Sequence, residues 1–240
     1  MQRDAELMHV PFDIDARTLE RWLLSLVDAN HAYDATLRVA VVRNKGGLFE
    51  APDLRRDYEV IAFTADRARW PAGVHLSYFP NGRFSASPFA GVKVTSWAEN
   101  LVLYEEAHRR GLDEFILLNE AGEVSECTSA NLFAIVGHEI STPPLATSGC
   151  LPGVTRAVLL EEIQLPGVTI RERSLSPSEL EMADLVFISS TTRDLLPVLT
   201  IDGAEIRREA AVFDRLASAF ASYRNAYVSA SSRSGMLVRA

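Results

Sequence analysis

Lysine is almost missing from this chain. Of its 24 basic residues only Lys45 and Lys93 are lysines, and the other 22 are arginines. Cysteine is as scarce, with Cys127 and Cys150 alone; two are too few for a disulfide framework, and their spacing is not that of metal ligands. The histidines at positions 9, 31, 75, 108 and 138 stand singly, so no metal site is expected. No apolar run approaches the ~18 residues that a membrane span needs. The opening residues MQRDAELMHV have neither the apolar centre of a signal peptide nor the Arg-rich, acid-poor character of a transit peptide. The expected location is therefore cytoplasmic. A net charge of −8 argues against a nucleic-acid partner, which asks for a basic face.

What is present is a large apolar fraction, 48% of 240 residues, enough for two modest lobes or one large one. The two lysines also differ in setting. Arg and Lys solvate a surface about equally, but only Lys can become a neutral amine that forms a Schiff base. Lys45 sits in the turn-like Asn44-Lys45-Gly46-Gly47, where a solvated amine is ordinary. Lys93 sits in the apolar Phe89-Ala90-Gly91-Val92-Lys93-Val94, where a surface charge fits poorly.

The periodicity predicts an amphipathic helix over about 15–28, with Leu19, Trp22, Leu23 and Leu26 on one face. Strands are expected over 36–43, 58–64 and 74–79. The turn-rich PNGRFSASP (80–88) reads as a connector. Ser96 and Glu99 have the spacing of a capping box opening a helix that stops at Gly111. Trp97, Leu101, Tyr104 and His108 form its stripe, with His108 expected partly buried. Further strands are expected over 115–118, 124–126, 132–136 and 185–189, with a hairpin turn at Asn119-Glu120-Ala121-Gly122. Helices are expected over 153–163 and after the capping box Ser176-Pro177-Ser178-Glu179. A last helix carries Phe213, Leu216, Phe220, Tyr223 and Tyr227. Few clean βαβ units appear, so the fold class is α+β.

Four segments carry chemistry together. They are Lys93; Gly122-Glu123-Val124-Ser125-Glu126-Cys127-Thr128-Ser129-Ala130-Asn131-Leu132-Phe133; Leu151-Pro152-Gly153-Val154-Thr155-Arg156; and the run Ser189 to Val198, SSTTRDLLPV. In this order and spacing the chain resembles the fold-type IV enzymes that use pyridoxal 5′-phosphate (PLP). These include branched-chain aminotransferases, D-amino acid aminotransferases and aminodeoxychorismate lyases. The resemblance implies a small N-terminal domain (1–82), a linker (83–90) and a large PLP-binding domain (91–240) with a barrel-like mixed sheet. It implies amino-acid and 2-oxo-acid substrates and a homodimer.

By this resemblance Lys93 is the Schiff-base residue, whose freed amine then moves a proton on the substrate. Glu126 would hold the proton of the pyridine nitrogen, which keeps the ring electron-withdrawing. The backbone amides of Val154 and Thr155, at the start of a helix, would bind the phosphate, with Thr191 as a second donor. Thr192 would lie nearer the substrate carboxylate, and Leu151 would pack on the ring. Residues 1–12 match neither the strand and Tyr-Gly-Asp-Gly type turn with which the family opens nor the Arg that clamps the phosphate. The chain is therefore expected to lack that segment, through a shortened gene reading or a genuine loss. No Tyr follows Lys93 in Val94-Thr95-Ser96-Trp97-Ala98-Glu99-Asn100, unlike branched-chain enzymes. The Glu126-Cys127-Thr128-Ser129-Ala130-Asn131 segment leans toward the lyase branch, which eliminates pyruvate from aminodeoxychorismate. Transamination is the first reading, the lyase the second, and a non-catalytic remnant of the fold the third.

Overall fold

A computed structural model describes residues 1–43, 57–207 and 210–233; Lys45 and its turn lie outside the described residues. Contacts divide the chain into two units, one of Met1–Arg69 with Val92–Ser96 and the C-terminal end, the other of Trp70–Gly91 and Trp97–Ala230.

In the first unit, α1 (Gln2–Leu7) precedes α2 (Ala16–Ala29). The Asp15 carboxylate accepts the Thr18 N–H at 3.0 Å, which starts α2 where its apolar period begins. Leu19, Leu23 and Leu26 line a groove with Tyr58, Val60 and Ala62. The last three belong to β2 (Tyr58–Asp66), which pairs antiparallel with β1 (Ala35–Arg43) from Ala35↔Asp66 to Arg43↔Tyr58. Side chains alternate along a strand, so Ile61 and Phe63 point to the other face, where both remain exposed.

The second unit runs β3 (Val74–Phe79), α3 (Ala98–Arg109), β4 (Glu114–Leu118), β5 (Val124–Cys127), β6 (Asn131–Val136) and β7 (Glu139–Thr142). It continues with α4 (Leu145–Ser148), α5 (Val154–Glu161), β8 (Thr169–Glu172) and α6 (Pro177–Met182). It ends with β9 (Leu185–Ser190), β10 (Asp194–Ile201), β11 (Ala204–Glu205) and α7 (Ala210–Arg233). The strands form one mixed sheet in the order β5-β4-β3-β10-β9-β6-β7-β8, with β11 on β10. The class is α+β, as expected. The contact break after Arg69 places β3 in this unit. The reason is its backbone: β3 is hydrogen-bonded in parallel to both β4 and β10, inside the large sheet.

In this sheet the apolar runs of β6 and β9 pack on both faces. On β6 and β9, Leu132, Ala134, Val186 and Ile188 enter one core with Leu76, Ile116 and Val198. The alternate residues Phe133, Ile135, Leu185 and Phe187 enter another with Leu159 of α5 and Phe213, Leu216 and Phe220 of α7. Phe133 and Phe187 stack at 4.8 Å between centroids, with Phe213 tilted against Phe187 at 5.4 Å. The α7 stripe therefore packs as expected as far as Tyr223, while Tyr227 is exposed. The capping box at Ser176 forms with Pro177 opening α6.

Helix α3 corrects the sequence reading. Its N-cap is Trp97, one residue after Ser96, with no side-chain cap, so Glu99 stands at the second helical position and no box forms. Leu103 and Ala107 are the buried positions, against Phe115 and Leu117 of β4. Trp97, Leu101 and His108 lie on the exposed side, and His108 Nδ1 stands 2.9 Å from the Tyr104 carbonyl one turn back. The two stripes differ by a rotation of the helix, which the tertiary partner decides.

The connector after β3 is pinned to the β4–β5 turn. The Glu120 carboxylate accepts the Ser85 N–H and Oγ, both at 2.8 Å, and the Ala86 N–H at 3.2 Å. Those bonds, led by the Ser85 backbone N–H, hold its pKa down at about 2 from the ordinary 4.5. A depressed carboxylate stabilises the fold fully above its unfolded pKa and loses that contribution as pH falls through the folded one. Stability should therefore drop between about pH 4.5 and about pH 2 more steeply in the native chain than in Glu120→Gln. Urea midpoints measured across that window check it; parallel curves would remove Glu120 as the pin.

Candidate active site

Within the second unit, three of the four motif segments meet at one end of the large sheet. The meeting point is Asn131, the first residue of β6, which lies directly opposite Ser189 of β9. Its Nδ2 donates to the Leu151 carbonyl at 2.8 Å. A Cβ placed on Gly153 would stand 2.1 Å from Asn131 Oδ1, so only glycine lets the chain pass here into α5. Gly153 is the N-cap of α5 and offers no side-chain cap. The first-turn amides of Val154 and Thr155 are thus without helical partners. The Val154 side chain is exposed and Thr155 is buried.

Glu126 lies on β5, buried, with both oxygens engaged. Arg83 Nε donates to Oε1 at 2.9 Å and the Leu151 N–H donates to Oε2 at 3.0 Å. Leu151 is half-buried and so stands between Glu126 and Asn131, bonded to each through its backbone. Arg83 is a partner that sequence reading missed, since one arginine in a turn looks like any other among 22.

Thr191 and Thr192 occupy the turn between β9 and β10 and are exposed. The turn follows Ser190, adjacent to the Ser189 that faces Asn131. Among the described residues Ser189 Oγ is buried without a hydrogen-bond partner, as is Ser125 Oγ beside Glu126. The turn also contains Arg193, whose Nη2 donates to Glu114 and, at 3.0 Å, to Ser129 Oγ. The side chains of this pair are 5% and 1% exposed. Removing one member of such a buried pair costs about 3–5 kcal/mol. Arg156 is also buried, donating to Glu172 and to the Pro143 carbonyl at 2.8 Å, which fastens α5 to β8. It is structural, and it depresses the Glu172 pKa.

Lys93 belongs to the segment Val92–Ser96, which clusters with the first unit. Its side chain is exposed and its N–H donates to Asp4 Oδ2 at 3.3 Å. In the second unit the chain ahead of it is fixed at Gly91. That residue has φ +69, and a Cβ on it would stand 2.8 Å from the Cys150 carbonyl. The two thiols are not reactive groups: burial, with Glu114 nearby, raises the Cys127 pKa well above its ordinary value, and burial raises that of Cys150.

The arrangement offers a buried carboxylate at one side, open helix amides at another, and free hydroxyls on a turn between them. Known proteins resemble this chain in sequence and in fold. The branched-chain-amino-acid aminotransferase of Escherichia coli K12 is 35% identical over 119 residues, 50% of this chain and 38% of that protein. The D-alanine aminotransferase of Bacillus licheniformis is 27% identical over 224 residues, 86% of this chain and 72% of that one. Among solved structures, the E. coli branched-chain amino acid aminotransferase superposes with a TM-score of 0.82 at 25% identity, covering 92% of this chain and 76% of that one. A Legionella pneumophila protein provisionally assigned as a 4-amino-4-deoxychorismate lyase gives 0.81 at 25% identity, covering 90% and 80%. The E. coli relative is thus matched over well under half of its length. Residues 1–201 match the description Amino-transferase class IV, and the chain belongs to that family.

Proposed function

We propose that this chain is a PLP-dependent aminotransferase that moves an amino group between an amino acid and a 2-oxo acid in the cytoplasm. The observation that carries the reading is the convergence of Glu126, the uncapped start of α5 and the Thr191 turn around Asn131. The residues fit the cofactor. Glu126 is a buried carboxylate held in place by Arg83 and the Leu151 N–H, the kind of acceptor a protonated ring nitrogen requires. Gly153 carries no side chain to fill the space before the α5 amides, and Ser189 Oγ is a buried hydroxyl still in want of a partner.

When bound, PLP supplies an aldehyde that takes up the amino group and a ring that draws electrons from the substrate's Cα. The chain's own residues do the rest. Glu126, ion-paired with Arg83, would hold a proton at the pyridine nitrogen. The Val154 and Thr155 amides, with the positive end of the helix dipole, take the phosphate, and the Thr191 hydroxyl adds a donor from the other side. Thr192 faces the substrate carboxylate, and Leu151 flanks the ring. Lys93, two residues beyond the fixed Gly91, holds the aldehyde carbon. When free, its amine would serve as the base and acid that moves the substrate's Cα proton.

The lyase reading uses the same residues and parts from transamination only in what leaves the substrate. The Legionella neighbour and the segment Glu126-Cys127-Thr128-Ser129-Ala130-Asn131 support it. Incubation with an amino acid plus 2-oxoglutarate, or with aminodeoxychorismate, separates the two by product.

Three outcomes are expected. Borohydride reduction of the cofactor-loaded protein, followed by peptide mapping, should place the pyridoxyl group on Lys93; label on Lys45 or on neither would refute the assignment. Glu126→Gln should retain cofactor while turnover falls by about 10²–10⁴-fold, the range for a lost proton-handling group; unchanged turnover rules the role out. The exposed Ile61 and Phe63 face supports a homodimer, since paired apolar patches of this kind are usually covered. Light scattering should give about twice the 26.5 kDa chain mass, and a monodisperse monomer with cofactor bound would be the contrary result.

A further inference from the structure

The β9–β10 turn has a peculiarity that the motif does not explain. Thr191 and Thr192 are exposed, and their side chains make no hydrogen bond among the described residues. The next residue, Arg193, is turned inward, and Asp194 follows with φ +54, a conformation that side chains other than glycine adopt at a cost. The backbone closes the turn as a hairpin, with Asp194 opposite Ser190 and the Arg193 N–H donating to the Ser190 carbonyl at 3.3 Å, and two side-chain tethers add to it. One is the Asp194 ion pair with Arg224 of α7, in which both side chains are nearly half exposed. The other is the Arg193 guanidinium. It donates to Glu114, to Ser129 Oγ at 3.0 Å, to the Ser129 carbonyl at 3.3 Å and to Ser190 Oγ at 3.4 Å. The Trp70 ring covers it, with the guanidinium carbon 3.9 Å from the ring centroid.

Glu114 is itself saturated. Besides Arg193 it accepts Thr128 Oγ1 at 2.8 Å, the Ser129 N–H at 2.7 Å and Ser129 Oγ at 2.5 Å. One carboxylate at the start of β4 thereby gathers the 128–130 loop, which leads into Asn131, and the turn that bears Thr191. A planar guanidinium suits this because its fork reaches several acceptors at once, where an ammonium reaches one region only.

We infer that Arg193 is a positioning residue for the cofactor's phosphate, acting through Thr191 rather than touching the ligand. Its guanidinium is already committed to Glu114, Ser129 and Ser190 on the protein side of the turn. This rests on the phosphate role proposed above for Thr191. Arg193 fixes the register of the turn against the Asn131 end of the sheet, so that the Thr191 hydroxyl meets a phosphate already seated on the α5 amides.

The test compares PLP with pyridoxal, which has the same aldehyde and ring but no phosphate. The full-length protein, stripped of cofactor, is titrated with each, as wild type, Thr191→Val, Arg193→Met and the double variant, with melting temperatures recorded alongside. Arg193→Met is expected to weaken PLP about tenfold, equivalent to one good hydrogen bond, and to leave pyridoxal binding unchanged. The double variant should bind PLP no worse than Thr191→Val within about twofold, because contacting residues that act in series are not additive. If Arg193→Met does not fold, Arg193→Lys takes its place, with the same split between the two ligands expected. An ammonium can meet Glu114 but cannot reach Ser129 and Ser190 as well. Thr191→Val weakening PLP while the Arg193 variants leave it unchanged, or weaken both ligands equally, would overturn the positioning role alone. Thr191→Val leaving PLP affinity unchanged would overturn the phosphate reading, and the positioning role with it.

Discussion

The hydrogen bond from the Asn131 carboxamide to the Leu151 carbonyl is the constraint on which the rest of the site depends. A strand end and a loop have no backbone ladder to hold them together, and here a side chain does that work at 2.8 Å. Because Leu151 is fixed, its N–H can meet Glu126, and Gly153, flush against Asn131 Oδ1, starts α5 beside the same strand end. The same Asn131 pairs with Ser189 of β9. A buried amide deprived of its partner costs about 1–3 kcal/mol. The larger loss would be geometric, since carboxylate and helix start would no longer share a frame.

Around that bond, arginine is used as a fastener. Arg83, Arg156 and Arg193 each join a glutamate to a second acceptor, a carbonyl or a hydroxyl. Lysine would be a poorer choice in such places, being a compact and strongly hydrated charge with one point of attachment. The lopsided basic composition thus has a structural side: buried, forked ion pairs favour one cation, and the amine is left rare.

The large elements were legible because local and tertiary preferences agree. Unbroken apolar runs such as Leu132–Val136 and 185–189 have only one resolution, a strand covered on both faces, and Ser176-Pro177 opens a helix by its own chemistry. The N-cap of α3 was misread because a capping motif states a local preference, whereas the position and rotation of that helix follow from Leu103 and Ala107 seeking Phe115 and Leu117. Strands β7 and β8 carry four residues each, too few to set a period. The motif segments were legible as a resemblance, but their supports were not. Arg83 meets Glu126 across 43 positions and Arg193 meets Glu114 across 79. Nothing local marks either arginine as different from its neighbours in composition.

The parallel pairing of β3 with β10 has a consequence for how the protein is made. Val74, Leu76 and their neighbours leave the ribosome early, yet the strand that covers them on one side ends at Ile201. At about 5–20 residues per second, the nascent sheet waits on the order of ten seconds for its central member. Through that interval an apolar strand presents an open edge, and contacts of such sequence separation are slow to close even when both parts exist. The growing chain is therefore a natural client for holdase chaperones. Its yield on overexpression should be governed by what happens to the unfinished sheet more than by the stability of the finished one.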